Sequence, residues 1–358
     1  MPRLPKMIIS KLRLQNFRLY SKKEFVFEGK NTLIVGQNTV GKTNILEAIY
    51  LLASGKSFRA GLESEMISYD QGIARVKGRI ESEEMIDLEI VLTRGEVLGE
   101  KTAKKKFLVN GVSRRMFDFV GKLKAVYFRP EDLDLVTDSP SLRRKYLDMV
   151  LGQVDKEYLR NLLSFEKGLR QRNKLLERIK EEGIPRSQLL FWDQLLVKTG
   201  NYLTNSRGEF IDFCNQQLAT TNKQPNISGY SLEYDKSVIS PARLEEYAVE
   251  EVAAASTLVG PHRDDFCFLL KNRDLHAFGS RGEQRLGVLW LKLAELEFIS
   301  QQTDQRPILL LDDIFSELDQ EHRELVLDVI GKQQTIITTT DLGLVDKKCL
   351  EKIEVLRL

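Results

Sequence analysis

The chain contains 358 residues, of which 42% are hydrophobic and 30% charged, a length sufficient for two or three packed lobes of a globular protein. Three cysteines without a CxxC pair, together with three histidines, argue against a disulfide framework or a zinc site and suit a reducing cytoplasm. No apolar run reaches about eighteen residues, so we expect a cytoplasmic protein without a membrane partner. Because the net charge is only +2, any DNA-binding surface must be a local basic patch.

The first motif, GQNTVGKT at residues 36–43, matches the phosphate-binding pattern GxxxxGK[ST]. An apolar run at 32–35 predicts a buried strand before it, and residues 44–52 predict a helix after it. A glycine-rich turn is the alternative, but in this context backbone N–H groups and a helix N-terminus converge on phosphate oxygens. Lys42 can reach the β- and γ-phosphates, and the Thr43 hydroxyl is placed to hold Mg²⁺. The predicted ATP-binding residues of this segment are Gly36, Gln37, Asn38, Thr39, Val40, Gly41, Lys42, Thr43 and Asn44.

The middle of the chain is dominated by helical patterns. Residues 130–133, PEDL, begin like a helix, with proline in the first turn and acids beside the positive end of the dipole. Apolar residues then recur at helical spacing over 151–179 and predict one long helix with a single apolar stripe. A break at 181–186 precedes a second apolar series over 189–213. We predict an antiparallel helical hairpin of a few turns, packed as a second lobe.

A further motif precedes a strongly amphipathic helical pattern at 286–296. The segment FGSRGEQR at 278–285 contains Ser–x–Gly–x–Gln, which offers a hydroxyl and bare backbone amides to an anion at a helix start. By itself it would be an ordinary N-cap beside a flexible loop. Its position, one helix ahead of an acidic strand, makes it a candidate part of a nucleotide site. The residues of this segment predicted to contact ATP are Ser280, Gly282, Glu283 and Gln284.

The acidic strand consists of the apolar residues 307–311 followed by Asp312 and Asp313. An apolar run ending in two acids is often only a strand that leaves a sheet, but in a chain with a phosphate loop it completes a site for ATP and Mg²⁺. We predict that Asp312 holds Mg²⁺ together with Thr43, and that Asp313 serves as the base or positions the attacking water. Asp313 and Lys42 are therefore the predicted catalytic residues.

Two segments after the acids extend the pattern. Residues 316–319, SELD, are similar to the D-loop of ABC-type ATPases, and a predicted strand at 335–341 places Asp341 at the switch position of that class. In that class the signature motif of one subunit closes over the γ-phosphate held by another. The resemblance implies an α/β fold: an ABC-type P-loop ATPase head built from both chain ends, with an inserted helical lobe. The predicted segments are 1–130 with the phosphate loop, 131–225 with the helical hairpin, and 226–358 with the signature, the acidic strand and the D-loop.

Seven strings spread over nearly the whole chain carry a wider resemblance: LRLQNFR at 12–18, GKSFR at 55–59, FRPEDL at 128–133, SPSLRR at 139–144, QRN at 171–173, LVGPHRDDF at 258–266 and LDDIFSELD at 311–319. Together they resemble the RecF family of bacterial recombination and gap-repair ATPases. The resemblance implies weak DNA-stimulated ATP hydrolysis, binding to double-stranded DNA near single-strand gaps, an ATP-sandwiched homodimer, and RecR and RecO as partners in recombinase loading. That family usually has glycine where this chain has Thr39, and a β-branched residue would be strained there by roughly 1–2 kcal/mol if the loop needs a positive φ.

Candidate DNA contacts in the sequence are short clusters of basic residues. No motif for reading the DNA grooves is present, so contacts should go to backbone phosphates with little sequence preference. Charge runs usually lie on solvated surfaces, and each basic cluster is only a candidate. His262 is interpreted as a structural residue that orders a turn, not as a catalytic base. The candidate basic clusters are Lys104–Lys106, Arg114–Arg115, Arg143–Lys145 and Arg170/Arg172/Lys174.

Two other functions remain open from the sequence. The chain could be an ABC transporter ATPase subunit, although Lys42 and Asp312 lie 270 residues apart (312 − 42), more than one compact motor domain needs. It could also be a nucleotide-gated scaffold, in which ATP binding controls assembly and hydrolysis is incidental. Retention on gapped DNA rather than on a membrane fraction would exclude the transporter, and a variant that binds but does not hydrolyse ATP would test the scaffold.

Overall fold

The computed structural model of the protein describes residues 7–28, 31–97, 99–220, 229–316, 320–344 and 353–358. The chain divides into two compact units, one formed by Met1–Asp132 with Glu295–Leu358 and the other by Leu133–Ala294. This division differs from the three predicted segments, because residues 229–294 belong to the same unit as the predicted helical lobe and not to the unit that contains the C-terminal strands. The signature segment therefore belongs to the second unit.

The described residues form strands and helices that we number in chain order. The strands are β1 Ile8–Phe17, β2 Tyr20–Val26, β3 Asn31–Val35, β4 Ile73–Glu81, β5 Met85–Thr93, β6 Glu96–Val97, β7 Glu100–Lys101, β8 Lys105–Val109, β9 Val112–Arg114, β10 Ala125–Phe128, β11 Tyr230–Asp235, β12 Asp265–Leu270, β13 Arg273–Asp274, β14 Ile308–Asp312, β15 Thr335–Thr339 and β16 Glu354–Arg357. The α-helices are α1 Lys42–Ser54, α2 Met116–Phe119, α3 Asp134–Thr137, α4 Pro140–Val154, α5 Lys156–Glu182, α6 Leu190–Thr220, α7 Pro241–Glu246, α8 Ala248–Ala254, α9 Leu275–Phe278, α10 Arg281–Thr303 and α11 Gln320–Val329. Short 3₁₀ turns occupy Glu63–Met66, Pro130–Leu133, Arg186–Leu189, Ile314–Ser316 and Leu342–Leu344.

The first unit contains two large sheets. One is a six-stranded antiparallel sheet in the order β2-β1-β4-β5-β8-β9, and the other is a five-stranded parallel sheet in the order β10-β14-β15-β3-β16. Every residue of β14 and β15 is buried, as expected for central strands of a parallel sheet. Because β3 pairs with β15 and β16, and β10 pairs with β14, the parallel sheet requires both ends of the chain.

The second unit is organised around a helical hairpin. Helices α5 and α6 contain 27 and 31 residues and pack against each other, so the hairpin is longer than the few turns predicted. The prediction of one continuous helix over 151–179 was wrong, because α4 ends at Val154 and α5 begins at Lys156. Asp155 between them is extended, and its carboxylate accepts a hydrogen bond from the backbone N–H of Glu157 at 2.8 Å. An N-cap of this kind starts a new helix where the apolar periodicity alone suggests continuity.

Three of the strings that carry the family resemblance build the interior of the second unit. Asp264 is fully buried and accepts hydrogen bonds from the Ser237 backbone N–H at 2.8 Å and from Arg207 Nη1 at 3.0 Å. Arg143 donates to the Asp265 carboxylate at 2.6 Å, and the Asn173 side chain accepts from the Thr257 backbone N–H at 2.9 Å. Buried charges of this kind are tolerated because each is paired and hydrogen-bonded. These residues are therefore structural in the second unit.

His262 has the structural position that the sequence predicts. Its Nε2 lies 3.0 Å from the carbonyl oxygen of Thr257, and its ring packs 5.9 Å from that of Phe165. Burial lowers the pKa of His262 to about 4, because the charged imidazolium loses its hydration. The folded protein thus holds this ring neutral at pH values where an exposed histidine is protonated.

The lowered pKa of His262 predicts a pH-dependent stability. Between pH 6.5 and about 4 the unfolded chain binds a proton on this ring that the folded chain does not, so the folded state loses stability as the pH falls through this window, by about 3 kcal/mol in total. Above pH 6.5 the contribution is constant. His262→Gln should remove this component, and the difference in unfolding free energy between parent and variant, measured by denaturant titration from pH 4 to 7.5, should change with pH. An equal offset at every pH would contradict the assignment.

Candidate nucleotide site

The phosphate loop lies between β3 and α1 in the first unit, as predicted. Residues 37–40 are exposed, and Gly41 at the N-cap of α1 has φ 107°. A Cβ at Gly41 would lie 2.7 Å from the Tyr20 hydroxyl, and one at Gly36 would lie 2.9 Å from Val40 Cγ2. Both glycines are therefore required for the loop to close tightly on the start of the helix, where backbone N–H groups collect.

Thr39 adopts a backbone conformation that is energetically unfavourable for threonine. Its φ is 71°, in the left-handed region that β-branched residues avoid, so the strain expected from the sequence is present in the loop. The Thr39 hydroxyl donates to the Asn38 carbonyl oxygen, and its side chain is exposed. The cost is thus local to the loop backbone.

Replacing Thr39 by glycine should relieve this strain. We expect Thr39→Gly to raise the unfolding free energy by up to about 1 kcal/mol, because relief of roughly 1–2 kcal/mol is partly offset by the greater backbone entropy of unfolded glycine. Thr39→Ala is the matched control, since alanine also disfavours a positive φ and should bring little gain. Denaturant titration without nucleotide measures both. A destabilised Thr39→Gly variant would show that the threonine side chain supports the loop.

Lys42 is bound by the loop itself. Its ammonium donates to the carbonyl oxygens of Gly36 at 2.6 Å and Gln37 at 2.8 Å, and the residue is only 7% exposed. Burial lowers the pKa of Lys42, and the nearby carboxylates of Asp313 and Asp312 oppose that shift by favouring the charged form. The cation thus sits in the curve of the loop, where a polyphosphate would need it.

Asp312 is held by three hydroxyl groups from three elements. Its Oδ1 accepts from Thr43 Oγ1 at 3.2 Å and from Thr338 Oγ1 at 2.6 Å, and its Oδ2 accepts from the Tyr127 hydroxyl at 2.6 Å. Burial, followed by the charge of Asp312, raises the pKa of Tyr127 far above its usual value, so the phenol remains a donor. The structure therefore unites the two predicted metal ligands, Thr43 and Asp312, at one edge of the parallel sheet.

Asp313 and its neighbours occupy the strand exit. Asp313 has φ 49°, and its backbone N–H donates to the carbonyl oxygen of Thr338 at 3.1 Å, which turns the chain away from the sheet next to Asp312. Ser316 Oγ donates to the Asp313 carbonyl oxygen at 2.6 Å. Asp341 accepts from the Gly343 backbone N–H at 2.8 Å and so orders the turn after β15. The rest of the D-loop, 317–319, lies outside the described residues.

A buried ion pair between Arg18, just after β1, and Glu47 on α1 holds the helix in place. Glu47 is fully buried and accepts from Arg18 through Nε at 2.9 Å and Nη2 at 2.7 Å, and from Ser57 Oγ at 2.7 Å. A bidentate guanidinium–carboxylate pair fixes both position and orientation. This explains two of the resemblance strings, because Arg18 and Ser57 hold the helix that begins at Lys42.

The signature segment forms a closed cap in the second unit. The backbone N–H and the hydroxyl of Ser280 both donate to the Glu283 carboxylate at 2.8 Å, and the Glu283 N–H donates back to Ser280 Oγ at 3.3 Å. This is a capping box at the start of α10. These hydrogen bonds lower the pKa of Glu283, so its carboxylate is charged and competes with any other anion for the same donors.

The predicted anion contact by Gln284 receives no support from the structure. The residue is 7% exposed, and its Nε2 donates to the Leu275 carbonyl oxygen at 3.1 Å, which fastens α10 to α9. Gly282 is different, because a Cβ there would meet open space and its backbone remains accessible. Asn44, predicted to bind ATP, is buried in the first turn of α1, where its N–H donates to the Gly41 carbonyl at 3.0 Å.

Three residues of the predicted basic clusters form ion pairs or hydrogen bonds in the interior of the protein. Arg172 is 1% exposed and paired with Glu251 at 2.7 Å, and Arg143 is paired with Asp265. Lys105 donates to the Gly55 carbonyl oxygen at 2.8 Å and is largely buried. These side chains hold the structure together and are not available to DNA phosphates. Of the other cluster residues, Arg144 and Lys145 are half-buried, and Arg144 Nη1 donates to the Asp264 carbonyl oxygen at 2.8 Å. The exposed ones are Lys104, Lys106, Arg114, Arg115, Arg170 and Lys174.

The residues at the phosphate loop fit ATP with Mg²⁺ better than an all-protein metal site. No group of three or more His, Cys, Asp or Glu side chains that could hold a metal ion occurs in the described part of the chain. Mg²⁺ is commonly held by one or two protein oxygens together with substrate phosphates, and Asp312 with Thr43 supply such a pair. Sequence reasoning missed Tyr127 and Thr338. Thr338 lies in a strand that the sequence predicts, whereas Tyr127 lies in β10, which the sequence analysis does not predict. Among the described helices, none is long and apolar enough to cross a membrane.

Known proteins resemble this chain over nearly its whole length. Residues 8–355 match the family described as RecF/RecN/SMC N terminal domain. The "DNA replication and repair protein RecF" of Herpetosiphon aurantiacus is 39% identical over 363 residues, which cover 94% of each chain, and that of Thermomicrobium roseum is 37% identical over 390 residues, 98% of each chain. The solved structure of the recombination mediator protein RecF-ATP in the RecFOR pathway superposes with a TM-score of 0.86 at 32% identity, over 96% of this chain and 94% of that one. The α/β, ABC-type ATPase head is therefore confirmed, and the chain belongs to the RecF family of DNA replication and repair proteins.

Proposed function

We propose that this protein binds and slowly hydrolyses ATP with Mg²⁺, and uses the ATP-bound state to hold DNA at single-strand gaps during recombinational repair. The observation that carries the proposal is the convergence of Lys42, Thr43, Asp312 and Asp313 at one edge of the parallel sheet. Solved RecF structures with ATP support the choice of nucleotide. We place the protein in the cytoplasm, because it would meet the DNA on which it acts there.

Each residue at this edge has a distinct task. Lys42 would exchange its two loop carbonyls for phosphate oxygens, which accept stronger, charge-assisted hydrogen bonds. Thr43 and Asp312 would hold Mg²⁺, which when bound neutralises charge on the phosphates, while Tyr127 and Thr338 keep the carboxylate in place. Asp313, one residue beyond the strand, would accept a proton from water or orient it. Positioning and electrostatics are sufficient for this reaction class.

We further propose that the working unit is an ATP-sandwiched homodimer. Ser280, Gly282 and the N-terminus of α10 would supply donors to the γ-phosphate held by the other subunit, with Glu283 displaced from Ser280 as the two close. Hydrolysis would then release the bridge and weaken the dimer. RecR and RecO are the proposed protein partners, in keeping with the RecFOR pathway of the solved relatives.

The test compares ATP-dependent retention on gapped DNA with hydrolysis. The parent should be retained on gapped duplex DNA with ATP and Mg²⁺ and released as ATP is consumed. Asp313→Asn should bind ATP with nearly parental affinity, hydrolyse it at least about tenfold more slowly, and stay on DNA longer. Parental hydrolysis by this variant would refute the role of Asp313. If the variant is retained on gapped DNA and released from it as the parent is, hydrolysis is incidental and the protein is a nucleotide-gated scaffold.

A further inference from the structure

The six-stranded sheet of the first unit has a strongly cationic outer face. Strands β1 and β4 bury one row of side chains, including Leu12, Leu14 and Val76, and turn the alternate row outward. We call the basic residues of this outward surface, together with Lys22 on β2, the cationic sheet face. It consists of Lys11, Arg13, Lys22, Arg75, Lys77 and Arg79.

The strand register places like charges directly opposite each other on this face. Lys11 is paired with Arg79 across β1 and β4, and Arg13 is paired with Lys77. Like charges at directly opposed positions destabilise an antiparallel sheet. Two such pairs in succession on neighbouring strands are unfavourable for the sheet alone, and they give the face a charge pattern that an anionic partner would compensate.

The available carboxylates do not balance these cations. Glu24 on β2 is paired with both Lys11, at 2.9 Å, and Arg13, while Asp87 on β5 is paired with both Lys77 and Arg79, each at 2.9 Å. Each of these two acids is thus shared by two cations, and a third acid, Glu89 on β5, is paired with Arg75 alone at 2.8 Å. The acids stand on the flanking strands, so the centre of the face, on β1 and β4, stays positive. Only Glu81, at the end of β4, brings a carboxylate onto those two strands.

The ion pairs on this face are exposed and exchangeable. The side chains of Arg13, Arg75 and Arg79 are 56%, 49% and 44% exposed. Exposed ion pairs contribute only about 0.2–1 kcal/mol each, so phosphate groups can replace the carboxylates at little cost. Arginine guanidinium groups bind phosphate oxygens bidentately, so a phosphate group can replace a carboxylate such as Asp87, which accepts from Arg79 at 2.9 and 3.4 Å, without loss of geometry.

We propose that the cationic sheet face binds the phosphate backbone of double-stranded DNA; this inference rests on the proposed function and assigns its DNA surface. Outward side chains repeat about every 6.8 Å along a strand, so three rows cover about 14 Å, the length of roughly four phosphates of one DNA strand. The outward rows of β1 and β4 contain no aromatic residue, so the face offers single-stranded bases no stacking platform. A rigid sheet with spaced cations suits a regular duplex backbone.

The double variant Arg13→Gln/Lys77→Gln tests the face by removing one of the opposed pairs. Its affinity for duplex DNA should fall on the order of tenfold or more, and the slope of log K against log salt should decrease in magnitude by about 1.8. Arg160→Gln/Arg178→Gln is the matched control, because it removes the same charge from two exposed ion pairs, 48% and 50% exposed, on α5. The control should bind DNA like the parent. Thermal melting verifies that both variants are folded.

A gain-of-binding variant tests the same surface in the opposite direction. Glu24→Gln removes the carboxylate shared by Lys11 and Arg13, so duplex affinity and the salt slope should both rise. Fluorescence anisotropy with a labelled duplex, at several salt concentrations and with ATP and Mg²⁺, measures all variants. Anionic phospholipid vesicles serve as a second probe.

The outcomes separate this inference from the proposed function. If the parent binds duplex DNA and the two sheet variants bind it like the parent, the face is not the DNA surface, although the proposed function stands. If the parent binds no DNA in any nucleotide state, the proposed function fails and the assignment of the face fails with it. If the sheet variants lose binding to vesicles but not to DNA, the face recognises a membrane surface and the inference is overturned.

Discussion

Lys42→Ala should weaken ATP binding by about 2–3 kcal/mol, roughly 30- to 150-fold, the largest effect expected from a single substitution at the phosphate loop. The ammonium lies in the curve of the loop and already donates to Gly36 and Gln37 at 2.6 and 2.8 Å. Its removal deprives the phosphates of their charge-assisted donor and leaves the carboxylates of Asp312 and Asp313 without a cation that offsets their repulsion of ATP.

Calorimetric titration with a slowly hydrolysed ATP analogue measures this loss. Lys42→Arg should restore part of the affinity, since it returns the charge but in a larger, forked group that the loop does not fit. Lys167→Ala, an exposed position on α5, is the control and should bind like the parent. Parental affinity in Lys42→Ala would place the phosphates elsewhere on the protein and remove the basis of the proposed site.

Ser280→Arg should abolish ATP-dependent dimerisation while the isolated subunit still binds ATP. The Ser280 hydroxyl and N–H at the start of α10 are the donors proposed to reach the partner's γ-phosphate. An arginine would fill the gap between subunits with a long side chain and remove the hydroxyl. Glu283→Gln should have the opposite effect, because the charged carboxylate now bound to Ser280 would no longer repel the phosphate, and dimerisation should tighten by about tenfold.

Sedimentation velocity with ATP and Mg²⁺ measures both effects. Ser141→Arg is a suitable control, since it introduces the same side chain at an exposed serine in the first turn of another helix, α4. It should dimerise like the parent. If Ser280→Arg also dimerises with ATP, the signature does not act on a partner's nucleotide, and the capping box at Ser280 is only a helix start.

The sequence by itself determined the parts of the site that depend on local order. The strand before Gly36, the helix from Lys42 and the strand ending at Asp312 were predicted correctly, because apolar runs and glycine spacing specify them within a few residues. The strain at Thr39 was also predictable, since it depends only on one residue type in one backbone conformation.

The tertiary structure decided which groups surround these local motifs. Tyr127 and Thr338 reach Asp312 because parallel strands from distant parts of the chain end at one sheet edge, and no local pattern records that pairing. Arg172 resembled a DNA contact in the sequence, but Asp193 and Glu251, far away in the chain, neutralise it in the interior.

The cationic sheet face likewise could not be recognised from the sequence alone. Its charges are scattered in the sequence around residues 11–13 and 75–79, and neither group is a conspicuous basic run. Only the pairing of β1 with β4 sets Lys11 opposite Arg79 and Arg13 opposite Lys77. Sequence periodicity tells which side chains share a face of one strand, but the register between strands, which tertiary packing selects, decides which charges meet.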